Sequence, residues 1–342
     1  MKGFGTAWVQ GRATAPVLTL AVLATALAAG LVGRFEVAPW DVFRIALSPV
    51  LPFQPDWDPI TEAVILQVRL PRVLAALLAG GALALSGACY QGIFRNPLVS
   101  PFILGVSSGA GFGAALAILL TTSAVMIQAS AFTFGLVAVV ASILLARLYR
   151  TAPTLILILS GVIVGSVFAA LLALLKYAAD PDDKLPVIEF WLMGSLSGVG
   201  YDDMLGLAVC VVPGATLLLL MRWRLNVLSM GAQQARALGV DVFRLRLVML
   251  ALATLLAASA VSVCGVVGWI GLVAPHMARL LVGADHQRML PVAFALGGCL
   301  LTVVDAIARS LVQAEIPLGI VTALVGAPLF ALLLRRGARE WA

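Results

Sequence analysis

Charge is what this sequence has least of. Only 11% of its 342 residues are charged, and lysine occurs three times, at Lys2, Lys176 and Lys184. Soluble domains carry about 25% charged residues, so a water-soluble globular enzyme is excluded. A disordered chain is excluded as well, because disorder needs low hydrophobicity and high charge. No G-x-x-x-x-G-K-[ST] occurs anywhere, so the chain has no P-loop with which to hydrolyse ATP. Histidine is nearly as scarce. His276 and His286 are the only two, and neither lies in an H-E-x-x-H setting. The four cysteines (Cys89, Cys210, Cys264 and Cys299) stand far apart inside apolar stretches. That spacing is neither a disulfide framework nor a metal-ligand set, and they read as small packing residues.

What the chain has in abundance is apolar length. Hydrophobic residues make up 62% of it, with a mean hydropathy of +1.08. A bilayer core of roughly 30 Å needs about 20 apolar residues per helix. Runs broken by Pro, Gly and charge predict ten spans, at 15–33, 64–93, 99–120, 124–146, 154–178, 204–221, 247–267, 269–283, 290–312 and 317–334. The expected architecture is therefore all-α and polytopic, one transmembrane domain over residues 1–342 with no extramembrane domain. The first run follows basic residues and contains Ala26-Leu27-Ala28, features of a cleaved leader. Its length favours a retained span.

Orientation follows from the 22 basic residues. With the N-terminus inside, 15 fall on the inner side and 7 on the outer, which predicts both termini in the cytoplasm. Twelve of the sixteen acids fall outside, three inside, and Asp305 within the ninth span. The excess of Arg reads as topology and lipid contact, and no nucleic-acid partner is expected. The longest outer segments are 34–63 and 179–203; the second ends in an amphipathic stretch, Leu185 to Ser197, expected at the interface. The longest inner loop is 222–246, whose middle, Leu228 to Leu238, predicts a short helix stopped by Gly239.

Several motifs carry two readings. Gly105-Val106-Ser107-Ser108-Gly109 fits the nucleophile elbow G-x-S-x-G, but that elbow needs a preceding strand and His and Asp partners. Inside an apolar helical run, these glycines with Gly113 read instead as G-x-x-x-G packing steps, repeated at Gly161 and Gly165. An acid within a span costs about 2.5–3.5 kcal/mol on insertion scales and is by default a functional candidate. Asp305 lies four residues before Arg309, so an intrahelical ion pair is the favoured reading and a proton-coupled carrier the rival. Arg69, Arg72 and Arg309 stand at the outer side against the charge bias. They suit either snorkelling to headgroups or docking of an acidic soluble protein. Asn96-Pro97-Leu98-Val99-Ser100-Pro101 is a Pro-broken inner turn, of a kind tolerated where backbone lines a cavity. Arg69-Leu70 before Leu98 to Pro101 is echoed by Arg246-Leu247 before Leu272 to Pro275, a faint inverted repeat of the transporter type.

At this point the chain resembles the FecCD family, the permease subunits of type II ABC importers for iron–siderophores, haem and vitamin B12. The likeness rests on Arg69-Leu-Pro-Arg72, Leu85-Ser-Gly-Ala-Cys-Tyr-Gln91, Asn96-Pro-Leu98, Leu104-Gly-Val-Ser-Ser-Gly109, Phe190-Trp-Leu-Met-Gly194, Ala235-Arg-Ala-Leu-Gly239, Gly271-Leu-Val-Ala-Pro-His276, Pro317-Leu-Gly-Ile-Val-Thr322 and Gly326-Ala-Pro328, in family order. The resemblance implies ten spans in the type II importer permease fold, and a second permease copy (homodimer or close paralogue). It further implies two cytoplasmic ABC ATPase subunits, which bind ATP-Mg, a periplasmic substrate-binding protein, and no cofactor on this chain. It places binding-protein docking on Arg69, Arg72 and Arg309. The cytoplasmic gate falls on Asn96 and Leu98, and a second gate position on Thr154, whose setting Pro153-Thr154-Leu155 is less polar than in some relatives. ATPase coupling falls on the 222–246 loop, at Leu228, Ser229, Met230, Gly231, Ala235, Arg236, Leu238 and Gly239. The expected cargo is an iron–siderophore-type chelate, moved from periplasm to cytoplasm by alternating access, with vitamin B12, haem or an oxyanion as alternatives.

Overall fold

The computed structural model describes residues 14–33, 35–149 and 153–341, with the side chains of 14, 153, 154 and 334–341 outside that description. Among the described residues there are helices and turns and no strand. Lipid offers no partner to a bare N–H or C=O, so a spanning chain of this composition folds as helices.

In order, the helices are α1 (Thr14–Leu31), α2 (Pro39–Leu47), α3 (Pro59–Ala63), α4 (Leu70–Phe94), α5 (Val106–Leu120), α6 (Ala124–Arg147), α7 (Pro153–Ala178) and α8 (Lys184–Met193). They continue as α9 (Tyr201–Leu220), α10 (Arg222–Met230), α11 (Ala232–Ala237), α12 (Val242–Cys264), α13 (Ile270–Val282), α14 (His286–Ser310) and α15 (Leu318–Trp341). A single π turn, Val64–Arg69, joins α3 to α4 into one rod from Pro59 to Phe94. Among the described residues, six helices are long and apolar enough to cross a membrane: that rod, α6, α7, α9, α12 and α14. The other four sequence-predicted spans are occupied by shorter apolar helices, Ala15–Leu31, α5, Ile270–Val282 and Leu318–Leu333.

The centre of the bundle is α4, which packs against α14, α12, α13 and α9. Its sequence, LPRVLAALLAGGALALSGACYQGIF, is dominated by Ala, Gly and Leu. Without a hydrophobic drive between helices in lipid, close packing of small residues holds such crossings together. At the α4–α14 crossing a Cβ on Gly80 would run into the carbonyl of Gly297, and one on Gly297 into that of Gly80. The two backbones touch there, and only glycine fits. Polar pins fix α4 to α12: the Ser86 hydroxyl donates to the Ala253 carbonyl at 2.7 Å, and Tyr90 Oη lies 2.8 Å from Thr254 Oγ1. By contrast α7 buries little of its length, and Leu155, Leu159, Val162, Ile163 and Val167 are exposed.

The nucleophile-elbow pattern resolves as packing. Gly105 caps α5 at φ 83°, and Gly109 and Gly113 sit against the carbonyls of Phe134 and Ser130 on α6. One helix boundary differs from expectation. The predicted helix over 228–238 is broken at Gly231, whose φ of 116° excludes helix, so α10 and α11 meet there at a corner. Gly239, at φ 76°, follows the end of α11.

Candidate functional site

Two clusters of polar side chains stand at opposite ends of the α4–α14 pair. The first surrounds the start of α4, the end that charge bias assigns to the outside. Helix α1 has no basic residue in its last turn, so its final carbonyls need donors from elsewhere. Arg309 supplies two, donating from Nη1 to Val32 at 2.6 Å and from Nη2 to the Ala29 carbonyl. Arg69, set by the π turn, donates from Nη1 to Gly30 at 2.8 Å and from Nη2 to the Phe35 carbonyl. A positive group at a helix C-terminus is also favoured by the helix dipole.

Arg72 completes the cluster. Its Nε and Nη2 grip Asp305 at 3.0 and 2.8 Å, and its Nη1 and Nη2 grip Glu315 at 2.9 Å each. Asp305, 1% exposed, also lies 3.3 Å from Arg309 Nε. Its intrahelical pair with Arg309 is therefore present, but the closer, two-pronged partner is Arg72, 233 residues away. Sequence spacing could find the first and had no signal for the second. The three arginines are only 5%, 7% and 7% exposed (Arg69, Arg72, Arg309). They line a cleft of about 170 Å³ together with Gly33, Phe35, Val64, Val68 and Glu315.

The second cluster lies at the other end. Arg95 ends α4 in the left-handed region (φ 52°), turning the chain into Asn96 and Leu98, both exposed. Asn96 Oδ1 accepts from the Leu98 N–H at 2.9 Å, a local turn bond. Thr154 lies in the first turn of α7 by its backbone, and its side chain is outside the described residues.

The 222–246 segment forms an angled pair of short helices beside this turn. Leu228 and Ala235 are buried and anchor it, whereas Met230, Arg236, Leu238 and Gly239 face outward. The Ser229 hydroxyl donates to the Asn226 carbonyl at 2.7 Å, inside α10. A groove of about 340 Å³ runs alongside, lined by Trp223, Arg224, Asp241 and Arg244 among others. Sequence reasoning missed the residue that ties this pair to the bundle. Asn226 donates to Asp285 at 2.6 Å, and its Oδ1 accepts from the backbone N–H of His286 at 2.9 Å and from its ring Nδ1 at 2.7 Å. Asp285 also caps α14 by accepting from Gln287 N–H. The asparagine hydrogen bond, followed by that backbone bond, holds the Asp285 carboxyl below its ordinary value of 3.8. Movement of α10 is thus linked directly to α14, the helix whose far end carries Asp305. No group of His, Cys, Asp and Glu able to hold a metal occurs among the described residues.

This arrangement, helices around a central rod with a short angled helix pair at one face, has close counterparts. The pattern of the FecCD transport family matches residues 18–336. The chain belongs to the FecCD transport family. It is 42% identical over 323 residues to MolB, the molybdate import system permease of Haemophilus influenzae, covering 94% of this chain and 95% of that protein. BtuC, a cobalamin import system permease of Halobacterium salinarum, is 40% identical, over 87% of this chain and 79% of its own. A solved metal-chelate type ABC transporter in an inward-facing conformation superposes with a TM-score of 0.84 at 42% identity, covering 94% of this chain and 98% of that one. As a FecCD member the chain is an all-helical, multi-pass ABC importer permease of the inner membrane, with the type II fold. Family permeases work with separate ATPase subunits, a substrate-binding protein and a second permease copy.

Proposed function

We propose that this chain, paired with a second permease copy, forms the pathway by which a metal chelate of the iron–siderophore type enters the cytoplasm, driven by two ATPase subunits docked at α10 and α11. The observation that supports the mechanism is the Asn226 bridge. An ATPase pushing on the exposed face of Met230, Arg236 and Leu238 would move α10, and Asn226 would pass that displacement to α14 through Asp285 and His286. Asn96 and Leu98, beside the same corner, would close the inner mouth in one state and free it in the other. Such a change needs contacts that differ between two states.

Docking of the binding protein at Arg69, Arg72 and Arg309 would take a particular form. Apart from the buried Arg309 Nε, which has only its 3.3 Å ion pair with Asp305, the donors that the cluster uses are engaged, so an incoming carboxylate would exchange with a present partner. Glu315 is the replaceable one, because its side chain is 27% exposed against 1% for Asp305. Three arginines facing two acids leave the cluster with one positive charge over, which favours an acidic visitor.

A second cargo reading, a molybdate-like oxyanion, is favoured by one observation: the likeness to MolB extends over nearly the whole of both chains. Proteoliposomes containing this permease, its ATPase and its binding protein would separate the two. ATP-dependent uptake of a radio-iron siderophore, unaffected by molybdate, supports the first reading; uptake of molybdate alone supports the second. Uptake persisting without the ATPase under an imposed proton gradient, and lost in Asp305→Asn, would replace both with a secondary carrier.

A further inference from the structure

The inner cluster contains polar atoms that neither the gate nor the coupling helices account for. A cleft of about 290 Å³ is lined by Gln91, Gly92, Arg95, Arg279 and His286 among others, with no acidic side chain in its lining. Gln91 is 2% exposed, and its Nε2 donates to nothing. Its Oε1 faces Arg279 Nη2 at 3.5 Å, which fixes the amide with the unpartnered NH₂ on the other side. Arg279 Nε is buried and unpartnered too. The Arg95 guanidinium reaches the α10–α11 corner, with Nη1 3.5 Å from where a Cβ on Gly231 would sit.

His286 sharpens the chemistry. It is 5% exposed. Because Asn226 Nδ2 is committed to Asp285, Asn226 Oδ1 must face the imidazole, so Nδ1 carries the proton. That leaves Nε2 as a bare lone pair, unpartnered and buried, close to Gly92, where a Cβ would come within 2.9 Å of it. The cleft therefore offers several N–H donors, two positive charges and, at His286 Nε2, a buried ring acceptor that no donor meets. Beside His286 stands Asp285, held by Asn226 and Gln287 and interacting with Arg288.

Buried polar atoms are ordinarily satisfied, and an orphaned set calls for a partner. A simple carboxylate would meet the donors and leave the His286 lone pair empty. A protonated tetrahedral oxyanion meets both, because its oxygens accept from Gln91, Arg279 and Arg95 while its hydroxyl donates to His286 Nε2. We propose that this cleft is a cytoplasmic-side binding site for a phosphate-type oxyanion, which would brace the end of α4, the α10–α11 corner and the α13–α14 junction against one another. The same chemistry is presented by free phosphate and by the phosphomonoester headgroup of phosphatidic acid.

The test uses the purified full chain, first in a neutral detergent with inorganic phosphate as the probe. Phosphorus NMR line broadening at constant ionic strength, balanced with chloride, should saturate. Because a hydrogen bond to a charged group contributes on the order of 1.5–3 kcal/mol, Arg279→Gln or Gln91→Glu should weaken binding by about tenfold or more. Arg95→Gln, at an exposed position where folding is safe, should weaken it less but measurably. Circular dichroism and gel filtration verify that each variant is folded. In a second arm the chain sits in phosphatidylcholine nanodiscs with and without phosphatidic acid. Variant-sensitive perturbation of the phosphatidic acid resonance alone identifies the headgroup as the occupant. Variant-sensitive binding of inorganic phosphate in both settings identifies the free ion. Binding that the variants leave unchanged, that acetate matches at equal concentration, or that neither arm detects would overturn the proposal.

Discussion

The two ends of the α4–α14 pair are both rich in arginine and have been built in opposite ways. At the outer end Arg72 is gripped by two carboxylates, and Arg69 and Arg309 finish the last turn of α1; the one buried nitrogen there without a hydrogen bond, Arg309 Nε, keeps a 3.3 Å ion pair with Asp305. At the inner end Arg279 Nε, Gln91 Nε2 and His286 Nε2 have no partner, although each is buried. The difference teaches where exchange can occur. A satisfied buried network is held by its own desolvation cost, because removing one member strands the others. An unsatisfied one gains by acquiring a partner. The outer cluster is thus a staple joining α1, α4 and α14, which a visitor can enter only at its exposed edge, Glu315. The inner cluster is a receptacle, placed against the corner that would meet the ATPase.

The harshest way to break this contrast is to delete the centre of the staple. Asp305→Ala leaves Arg72 and Arg309 buried with one carboxylate between them, and breaking a buried pair in this way costs about 3–5 kcal/mol. Unfolding in mixed micelles titrated with dodecyl sulfate should report a loss of that size. A loss below about 1 kcal/mol would mean that both guanidinium groups reach water without help, and the staple description would fail. Arg69→Met comes next. It keeps the volume and removes the donors to Gly30 and Phe35, two part-buried hydrogen bonds that contribute about 0.5–1.5 kcal/mol each. Hydrogen exchange should quicken at the end of α1 while the amides of α4 stay protected. Uniform loosening of both helices would show that Arg69 supports the whole bundle. Glu315→Gln should cost less, about 1 kcal/mol, because its side chain is part exposed and solvent screens it. If binding-protein affinity then rises, Glu315 is the partner displaced on docking; if it falls, Glu315 itself contributes to the interface.

Much of this architecture was legible in the sequence because lipid imposes a simple code. Apolar run length placed each of its ten predicted segments on a helix, six of them long and apolar enough to cross a membrane and four shorter. Small-residue spacing marked Gly105, Gly109 and Gly113 as packing steps; Gly109 and Gly113 meet the Phe134 and Ser130 carbonyls, and Gly105 meets the backbone of Gly161 and Gly165. The corner at Gly231 was hidden because Leu228 to Leu238 has unbroken helical composition, and a lone glycine is tolerated inside a helix. The tertiary pairs were beyond reach for a different reason. Arg72 and Asp305 are 233 residues apart, and nothing in local periodicity couples them, whereas Arg309 was found because it shares a helix face. Asn226 escaped notice for the same reason. A neutral amide in an inner loop carries no chemical signature until Asp285 and His286 are placed beside it.

The smallest expected effect sharpens the comparison at the inner end. Asp285 lies outside the membrane-spanning segments, and its carboxyl is held below 3.8, first by the Asn226 amide and then by Gln287 N–H. A carboxylate with a depressed folded-state value stabilises the structure above its ordinary value, and that contribution is lost as the pH falls through the folded one. Acidifying from pH 5 to below 3.8 should therefore loosen the α10–α14 bridge, by less than about 1 kcal/mol, the lower half of the range for losing a helix N-cap. Protection of the His286 and Gln287 amides, taken relative to the intrinsic exchange rate at each pH, should fall over that window in the wild type and stay flat in Asp285→Asn, which cannot titrate. The outer staple supplies the internal control, since the amides at the end of α1 depend on arginine donors that remain protonated throughout. If those amides loosened in step with His286, the two ends would be one cooperative unit, and the distinction between staple and receptacle would reduce to a difference in partners alone.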